Sequence, residues 1–229
     1  MIKRFVTFLL ILLVGFFFVS YVVKIKPADK LPSLANDYVN KGIDDVGSAN
    51  IVTAVVVTFR GLDTLGEVSV LFIATAGVGF LMRIEDKKSR LMKKRPASEL
   101  LRTGTNILMP LIFLFGIYIF LHGHLTPGGG FQGGVVIATG VLLFLLALTS
   151  ADINHTLLNI TESFSGAFYV TIGALGLFLA AGFLDNRILP VGHFGKLLSA
   201  GAIPVIYSLI GIKVGSELVG ILDSLHRDE

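Results

Sequence analysis

Six runs of about 20 mostly apolar residues limit the possible folds of this chain more than any other feature. A helix needs about 20 residues to cross roughly 30 Å of hydrocarbon. The runs are Phe5–Val23, Thr64–Met82, Thr105–Leu121, Phe131–Thr149, Phe164–Leu184 and Leu197–Leu222. Charged residues make up only 15% of the sequence, which excludes a disordered chain and a water-soluble globule. We predict an all-α integral membrane protein with about six transmembrane helices, lying as a multi-pass protein in the cell membrane.

The second run is part of a longer apolar region, residues 51–82. As one helix it would be about 48 Å long, which is too long for a simple span. Gly61 and Gly66 lie in the polar segment that interrupts it. The region either forms one steeply tilted helix or breaks there. We favour the break, with an interfacial segment 51–62 before the spanning helix, and a polar, irregular segment 24–50 before both.

Lys and Arg are concentrated in segment 83–102. The basic residues are Arg83, Lys87, Lys88, Arg90, Lys93, Lys94, Arg95 and Arg102. Because cytoplasmic loops are enriched in Lys and Arg, this segment and both termini are predicted to be cytoplasmic. Topology and contact with lipid headgroups explain the pI of about 9.2, so we expect no nucleic-acid partner. The absence of Cys excludes thiolate metal sites and iron–sulfur clusters, and no cofactor motif is found.

A carboxylate at membrane depth is a candidate functional group because burial of its charge is costly. Glu67 would lie about one turn into the membrane, with Arg60 and Asp63 on the same helical face. One interpretation places these residues on an ion pathway. The other is a structural ion pair of Arg60 with Asp63 or Glu67 at the membrane surface.

Lys213 and Glu217 form an i, i+4 pair in the last run. Counted from Leu197, Lys213 lies about 24 Å along the helix. At that position, close to the cytoplasmic side, its side chain could extend to the lipid headgroups, with Glu217 at the membrane–water interface. Alternatively, the pair is buried and passes protons, since apolar residues surround it.

Two histidines, His122 and His124, begin a glycine-rich segment between the third and fourth runs. The segment offers no third metal ligand, so no metal site is predicted. The histidines could titrate at a channel mouth, or the glycines could simply form a tight turn and allow close helix packing. His155 and Asp185 are expected to be solvated in loops.

Three motifs resemble a known family. The segment IVTAVVVTFRGLDTLGE (51–67) resembles the small subunit, or the C-terminal extension of the large subunit, of Mrp-type multisubunit Na⁺/H⁺ antiporters and membrane-bound hydrogenases. The segments HGHLTPGGGFQGG (122–134) and IGIKVGSELVG (210–220) resemble the MnhB subunit of these complexes. The resemblance implies an MbhE-like module over residues 1–95 joined to a four-helix MnhB-like module over residues 96–229. The acidic residue that the family often carries near Thr58 is missing.

The resemblance also implies a function. The chain is expected to be a non-enzymatic subunit of a membrane complex that exchanges Na⁺ for H⁺, with other membrane subunits as partners. Glu67 matches the family's intramembrane carboxylate, and Lys213 and Glu217 match its polar positions in the last helix. Two alternatives stay open: a purely structural subunit, and a cation-transport or scaffold subunit in the membrane arm of a hydrogenase or ferredoxin oxidoreductase.

Overall fold

A computed structural model of the chain describes residues 2–24, 30–85, 97–148 and 153–228. All long regular elements of these residues are α-helices. They are α1 (Ile2–Lys24), α2 (Ser33–Asp44), α3 (Ile51–Thr53), α4 (Gly61–Glu85), α5 (Glu99–Leu121), α6 (Gly130–Ala147), α7 (His155–Leu179) and α8 (Ile203–Asp228). Six of these, α1 and α4 to α8, are long and apolar enough to cross a membrane. The prediction of an all-α protein with about six transmembrane helices is confirmed.

The predicted cytoplasmic segment falls largely in a gap of the structure. Lys87, Lys88, Arg90, Lys93, Lys94 and Arg95 lie outside the described residues, as does the predicted module boundary between residues 95 and 96. The two predicted modules, residues 1–95 and 96–229, stay a prediction. By contacts the chain forms one unit of residues 1–36, which contains α1, and a second of residues 37–229. From Arg4 to Lys24 the side chains of α1 are exposed, except that Ser20 is half-buried. The assignment of the termini to the cytoplasm stays a prediction.

The apolar region 51–82 is interrupted at Arg60. Residues Ala54–Phe59 form a short π-helix after α3, and Arg60 adopts a non-helical conformation before α4 begins at Gly61. A Cβ atom at Gly61 would lie 2.9 Å from the side chain of Leu184, so glycine permits a close approach at this break. Within segment 24–50, for which we predict irregular structure, Ser33–Asp44 forms helix α2.

Three helices begin six or more residues from their predicted starts. Helix α5 begins at Glu99, six residues before the predicted Thr105, because the side chain of Ser98 accepts a hydrogen bond from Leu101 N at 3.2 Å. Helix α7 begins at His155, nine residues before the predicted Phe164, because the side chain of Asn154 accepts a hydrogen bond from Leu157 N at 3.0 Å. Helix α8 begins at Ile203 instead of near Leu197. The chain before it turns at Ala200 and Gly201, which both have positive φ, and this conformation ends the loop.

Helix α8 is the centre of the larger unit and packs against α4, α5, α6 and α7. Its core side chains are buried, among them Ile203, Ile206, Ile210 and Val214. Close packing with α6 depends on glycine, because a Cβ atom at Gly134 would lie 2.7 Å from the carbonyl oxygen of Gly211.

Three connecting segments meet at one end of the helices, which we call the loop face (residues 45–50, 122–129 and 180–202). The Ser48 hydroxyl donates a hydrogen bond to the carbonyl oxygen of His124 at 2.9 Å. The Asn186 amide donates to the carbonyl oxygen of Val46, also at 2.9 Å. The opposite end, where α8 finishes, is called the C-terminal face. Because α8 begins at the loop face, distances along it measure depth in the membrane.

Candidate functional site

Three charged side chains meet inside the helices of the larger unit. The Lys213 Nζ atom lies 2.7 Å from Glu217 Oε1 and 3.5 Å from Glu162 Oε1. The Glu217 side chain is 0% exposed, that of Lys213 is 12% exposed and that of Glu162 is 21% exposed. Lys213 Nζ also lies 5.0 Å from the centre of the Phe72 ring, where the face of the ring attracts a cation. We call these three charged residues the Lys213 cluster.

The position of α8 places this cluster deep in the membrane. Lys213 is ten residues after Ile203, about 15 Å along a span of about 36 Å. This depth is near the middle, so Lys213 does not extend to the headgroups, as one of our two interpretations required. The depth of Lys213 along the helix differs from the predicted depth because residues 197–202 belong to a loop and not to the helix. The geometry agrees with the alternative, a buried pair.

Glu162 was not identified from the sequence. It lies on α7 about 10 Å from the start of the helix, in a polar stretch that was predicted to precede the span. One signal in the sequence could have found it. Asn is a favoured residue at the start of a helix, so Asn154 could have been taken as an N-cap. Glu162 would then lie inside the helix that begins there. Gly166, one turn later, leaves room for Lys213, because a Cβ atom there would lie 3.3 Å from Lys213 Cδ.

A pocket of about 270 Å³ adjoins the cluster on the side of the C-terminal face. It lies between α4 and α7, with α8 as its floor, and we call it the cleft. Its polar lining consists of Thr75, His155, Asn159, Glu162, Ser216, Glu217 and Ser224. A pocket of this size and polarity has room for several water molecules.

An ionisable pair lies where the cleft approaches the C-terminal face. His155 Nε2 lies 3.0 Å from Asp223 Oδ2, and the Asp223 side chain is 1% exposed while that of His155 is 46% exposed. The sequence predicted a solvated loop position for His155. The structure instead places it at the first residue of α7, paired with a buried carboxylate on α8.

A second pocket, of about 530 Å³, extends from the Lys213 cluster toward the loop face. It shares Phe72 and Glu162 with the cleft and reaches Leu65 on α4. Tyr169 lines it and is 1% exposed, and its hydroxyl has no hydrogen-bond partner among the described residues. The two pockets therefore lie on either side of the cluster along the membrane normal.

Arg60, Asp63 and Glu67, which were predicted to share one helical face, do not form one group in the structure. Arg60 and Asp63 form a surface ion pair at 2.5 Å, with side chains 61% and 54% exposed. Glu67 is exposed on α4 and forms no ion pair with either. Glu67 is thus separate from the Lys213 cluster.

The two predicted histidines lie at the loop face, away from the cluster. His122 stacks on Tyr118 with ring centres 4.2 Å apart. His124 is fully buried, with Nε2 at 3.3 Å from the carbonyl oxygen of Lys196. Burial lowers the pKa of His124 below its usual value, so the neutral form is favoured.

Polar groups at the start of α3 fix the glycine-rich segment in place. Asn50 Nδ2 donates hydrogen bonds to the carbonyl oxygens of Gly123 and Thr126 at 2.9 and 3.0 Å. The Thr53 hydroxyl also donates to Gly123 O, at 2.6 Å. These contacts agree with a structural turn. No group of His, Asp and Glu suited to a metal ion occurs among the described residues.

Asp185, also predicted to be solvated, is buried at the loop face. Arg187 donates hydrogen bonds to its carboxylate from Nε, at 2.9 Å to Oδ1, and from Nη2, at 2.5 Å to Oδ2. These bonds, with further ones from the backbone, lower the pKa of Asp185 to about 2. The pair orders the loop before α8 and lies far from the Lys213 cluster.

Comparison with known proteins identifies both halves of the chain. Residues 100–220 match the family described as "Domain related to MnhB subunit of Na+/H+ antiporter", and residues 2–103 match the MbhE family, which is described as a subunit of MBH. The chain is 30% identical, over 218 residues, to an uncharacterized protein of Methanocaldococcus jannaschii, with 82% of each chain covered.

Two solved structures resemble the whole chain. One is a chain of the membrane-bound sulfane sulfur reductase, an archaeal respiratory membrane complex, with 44% identity, a TM-score of 0.82 and 98% of each chain covered. The other is a chain of the Mrp complex from Dietzia sp. DQ12-45-1b, with 22% identity and a TM-score of 0.79. Our chain is covered to 99% in the second comparison and spans 26% of that longer chain, a likeness of fold alone.

The MnhB-related match, residues 100–220, covers more than half of the chain and contains most of α5 to α8, including all three residues of the Lys213 cluster. The helices and the family therefore agree on a multi-pass protein of the cell membrane. The chain belongs to the family of domains related to the MnhB subunit of Na⁺/H⁺ antiporters.

Proposed function

We propose that this chain is a membrane subunit of a multisubunit Na⁺/H⁺ antiporter complex and contributes to cation and proton translocation. The observation that carries the proposal is the Lys213 cluster near the middle of the membrane. Ionisable groups at this depth are costly, and they commonly mark ion or proton pathways. The chain has no enzymatic role of its own in this proposal.

The unequal distances within the cluster suggest how it passes charge. Lys213 is closer to Glu217 than to Glu162. When Glu217 takes up a proton, its attraction for the ammonium is lost and Lys213 pairs with Glu162 instead. Loss of the proton restores the first pair. One ammonium that alternates between two carboxylates couples protonation to a movement of charge between α8 and α7.

Glu67, with Arg60 and Asp63 beside it, is assigned to the contact with other subunits. A carboxylate exposed on a spanning helix would be costly against lipid, so we propose that a neighbouring membrane subunit covers this part of α4. Na⁺ or H⁺ would then reach Glu67 at the contact between the two chains. His122 and His124 lie outside the conducting region in this proposal, and the other parts of α1 and α4 to α8 contact subunits or lipid.

A second function has specific support. The sulfane sulfur reductase chain resembles this one over almost its full length, at 44% identity, and the N-terminal half matches a family described as belonging to MBH. The chain could therefore serve as the cation-transport subunit in the membrane arm of a respiratory oxidoreductase. The Lys213 cluster would act in the same way there. Purification of the native complex and identification of its other subunits distinguishes the two assemblies.

The transport role is tested with the whole complex in membrane vesicles. Na⁺-driven proton movement is compared for the wild type, Glu217→Gln and Glu99→Gln, the last being a matched control because Glu99 is exposed in the first turn of α5. We expect exchange to fall at least about tenfold in Glu217→Gln and to be unchanged in the control. Equal rates in assembled Glu217→Gln and wild-type complexes would favour a purely structural subunit.

A further inference from the structure

We infer that the cleft is the inlet through which protons, and not Na⁺, reach the Lys213 cluster from the C-terminal face, with His155 and Asp223 as the residues that collect them. The inference rests on the proposed transport function and assigns the ion and the route at that site. Its basis is the placement of His155, Glu217 and Glu162 along one polar pocket, with Asp223 in contact with His155.

The cleft connects His155 near the C-terminal face with Glu217 in the Lys213 cluster. His155 lies at the start of α7 and is about half exposed, while Glu217 lies about 9 Å deeper, counted along α8 from Asp223, which His155 contacts. Ser224 lines the pocket near the level of His155, and Ser216 lines it near the level of Glu217. Hydroxyl groups and water along such a path can pass protons by hydrogen-bond exchange.

A proton acceptor, Glu217, lines the inner end of the cleft, and its side chain is 0% exposed. Its Oε1 atom contacts Lys213, whereas Oε2 has no hydrogen-bond donor among the described residues. A buried carboxylate oxygen in this situation is costly, and either a proton or a water molecule from the cleft would satisfy it.

The ammonium of Lys213 excludes Na⁺ from this position. It already occupies the space between the two carboxylates, at 2.7 Å from Glu217 and 3.5 Å from Glu162. A metal cation bound to the same oxygens would lie within a few ångströms of a like charge, which disfavours it. A proton adds to a carboxylate without needing that space.

The transfer then has three steps. The His155 imidazole takes a proton from water at the C-terminal face, and Asp223 stabilises the resulting imidazolium at 3.0 Å. The proton passes through water in the cleft to Glu217, where an O–H bond forms. His155 returns to its neutral form, and Lys213 turns from Glu217 to Glu162.

The charged and titratable groups that face the cleft come from two helices. His155 and Glu162 belong to α7, and Glu217 belongs to α8. Asp223 of α8 contacts His155, and Lys213 lies behind Glu217. The lining residues that α4 contributes, Phe72, Thr75, Ala76 and Gly79, do not titrate.

The absence of Cys from the sequence makes water access measurable. In the whole complex, Ser216→Cys and Ser224→Cys place a thiol in the cleft. Thr139→Cys is the matched control, because Thr139 lies at a similar depth on the exposed side of α6 and lines neither pocket. The probe is a charged, water-soluble thiol reagent added from each side of the membrane, and labelling of this chain is read by mass.

We expect both cleft thiols to react from the side of the C-terminal face, Ser224→Cys faster than Ser216→Cys, and both at least about tenfold faster than Thr139→Cys. Reaction of Ser216→Cys at the rate of Thr139→Cys overturns the inlet, and it does so even if the complex exchanges Na⁺ for H⁺ normally. Conversely, a wild-type complex without exchange overturns the proposed function, while the labelling still reports on the inlet.

The collecting role is tested with His155→Gln in complexes that assemble normally. We expect proton movement to slow about tenfold or more and free imidazole in the solution at the C-terminal face to restore it, because a soluble base can replace a lost proton carrier. Asp223→Asn should slow exchange without rescue by imidazole. Wild-type rates in His155→Gln, or slowing that imidazole does not relieve, would refute this role.

Discussion

Removal of the Lys213 ammonium would be the most informative single change to the stability of this chain. Its Nζ atom lies 2.7 Å from Glu217 and 3.5 Å from Glu162. At an effective dielectric constant of about 20, these distances correspond to attractions of about 6 and about 5 kcal/mol. Most of this attraction offsets the cost of burying the charges. Breaking a buried pair by removal of one partner typically costs about 3–5 kcal/mol.

We therefore expect Lys213→Met to destabilise the folded chain by about 3–5 kcal/mol. The double variant Lys213→Met/Glu217→Met should recover most of this loss, because an apolar replacement of a buried ion pair is often neutral or stabilising. The assay is the temperature at which the detergent-purified complex releases this chain. Lys196→Met is the control, because Lys196 is exposed in the loop before α8.

Two results would refute the reasoning. Lys213→Met could release the chain at the same temperature as Lys196→Met, in which case the ammonium is not paired in a buried site. Alternatively, the double variant could be less stable than Lys213→Met, which would mean that Glu217 is stabilised by a group other than Lys213.

Three further predictions concern single positions. Glu67→Gln should slow Na⁺-driven proton movement in an assembled complex, and an unchanged rate would show that this carboxylate is structural. Because burial lowers the pKa of His124, the unfolded chain binds a proton that the folded chain does not, so thermal stability should fall as the pH drops below about 6.5. His124→Asn should weaken this dependence, and an identical pH profile would exclude His124 as its source. Gly134→Leu should destabilise the contact of α6 with α8 by about 1–3 kcal/mol. Gly77→Leu should not, since no atom lies within 4 Å of a Cβ at that position, and equal melting of the two variants would contradict the packing described.

The helices could be predicted because hydropathy alone selects segments that must leave water. The predicted starts of α7 and α8 were wrong because polar residues lie inside the membrane at the first and apolar residues lie outside it at the second. Residues 155–163 are polar enough to resemble a loop, but part of this stretch faces α8 and the cleft. Leu197 and Leu198 are apolar but belong to the loop before α8. A hydropathy criterion cannot separate these cases, because the deciding contacts come from distant parts of the chain.

The candidate site was predictable only in part for the same reason. Lys213 and Glu217 are four residues apart on one helix, so their pairing follows from local geometry. Glu162 and Asp223 join the site through packing between α7 and α8, which no local spacing encodes. The separation of Glu67 from Arg60 depends on side-chain directions at the break before α4, and these too follow from tertiary structure.

The central claim is that the Lys213 cluster moves protons through this chain, and Glu162 tests it most directly because it is the alternative partner of the ammonium. Na⁺-driven proton movement should be measured in vesicles that contain the whole complex with Glu162→Gln, beside the exposed control Glu99→Gln. We predict that the complex assembles and that exchange falls at least about tenfold only in Glu162→Gln. Wild-type exchange by the assembled Glu162→Gln complex would contradict the account.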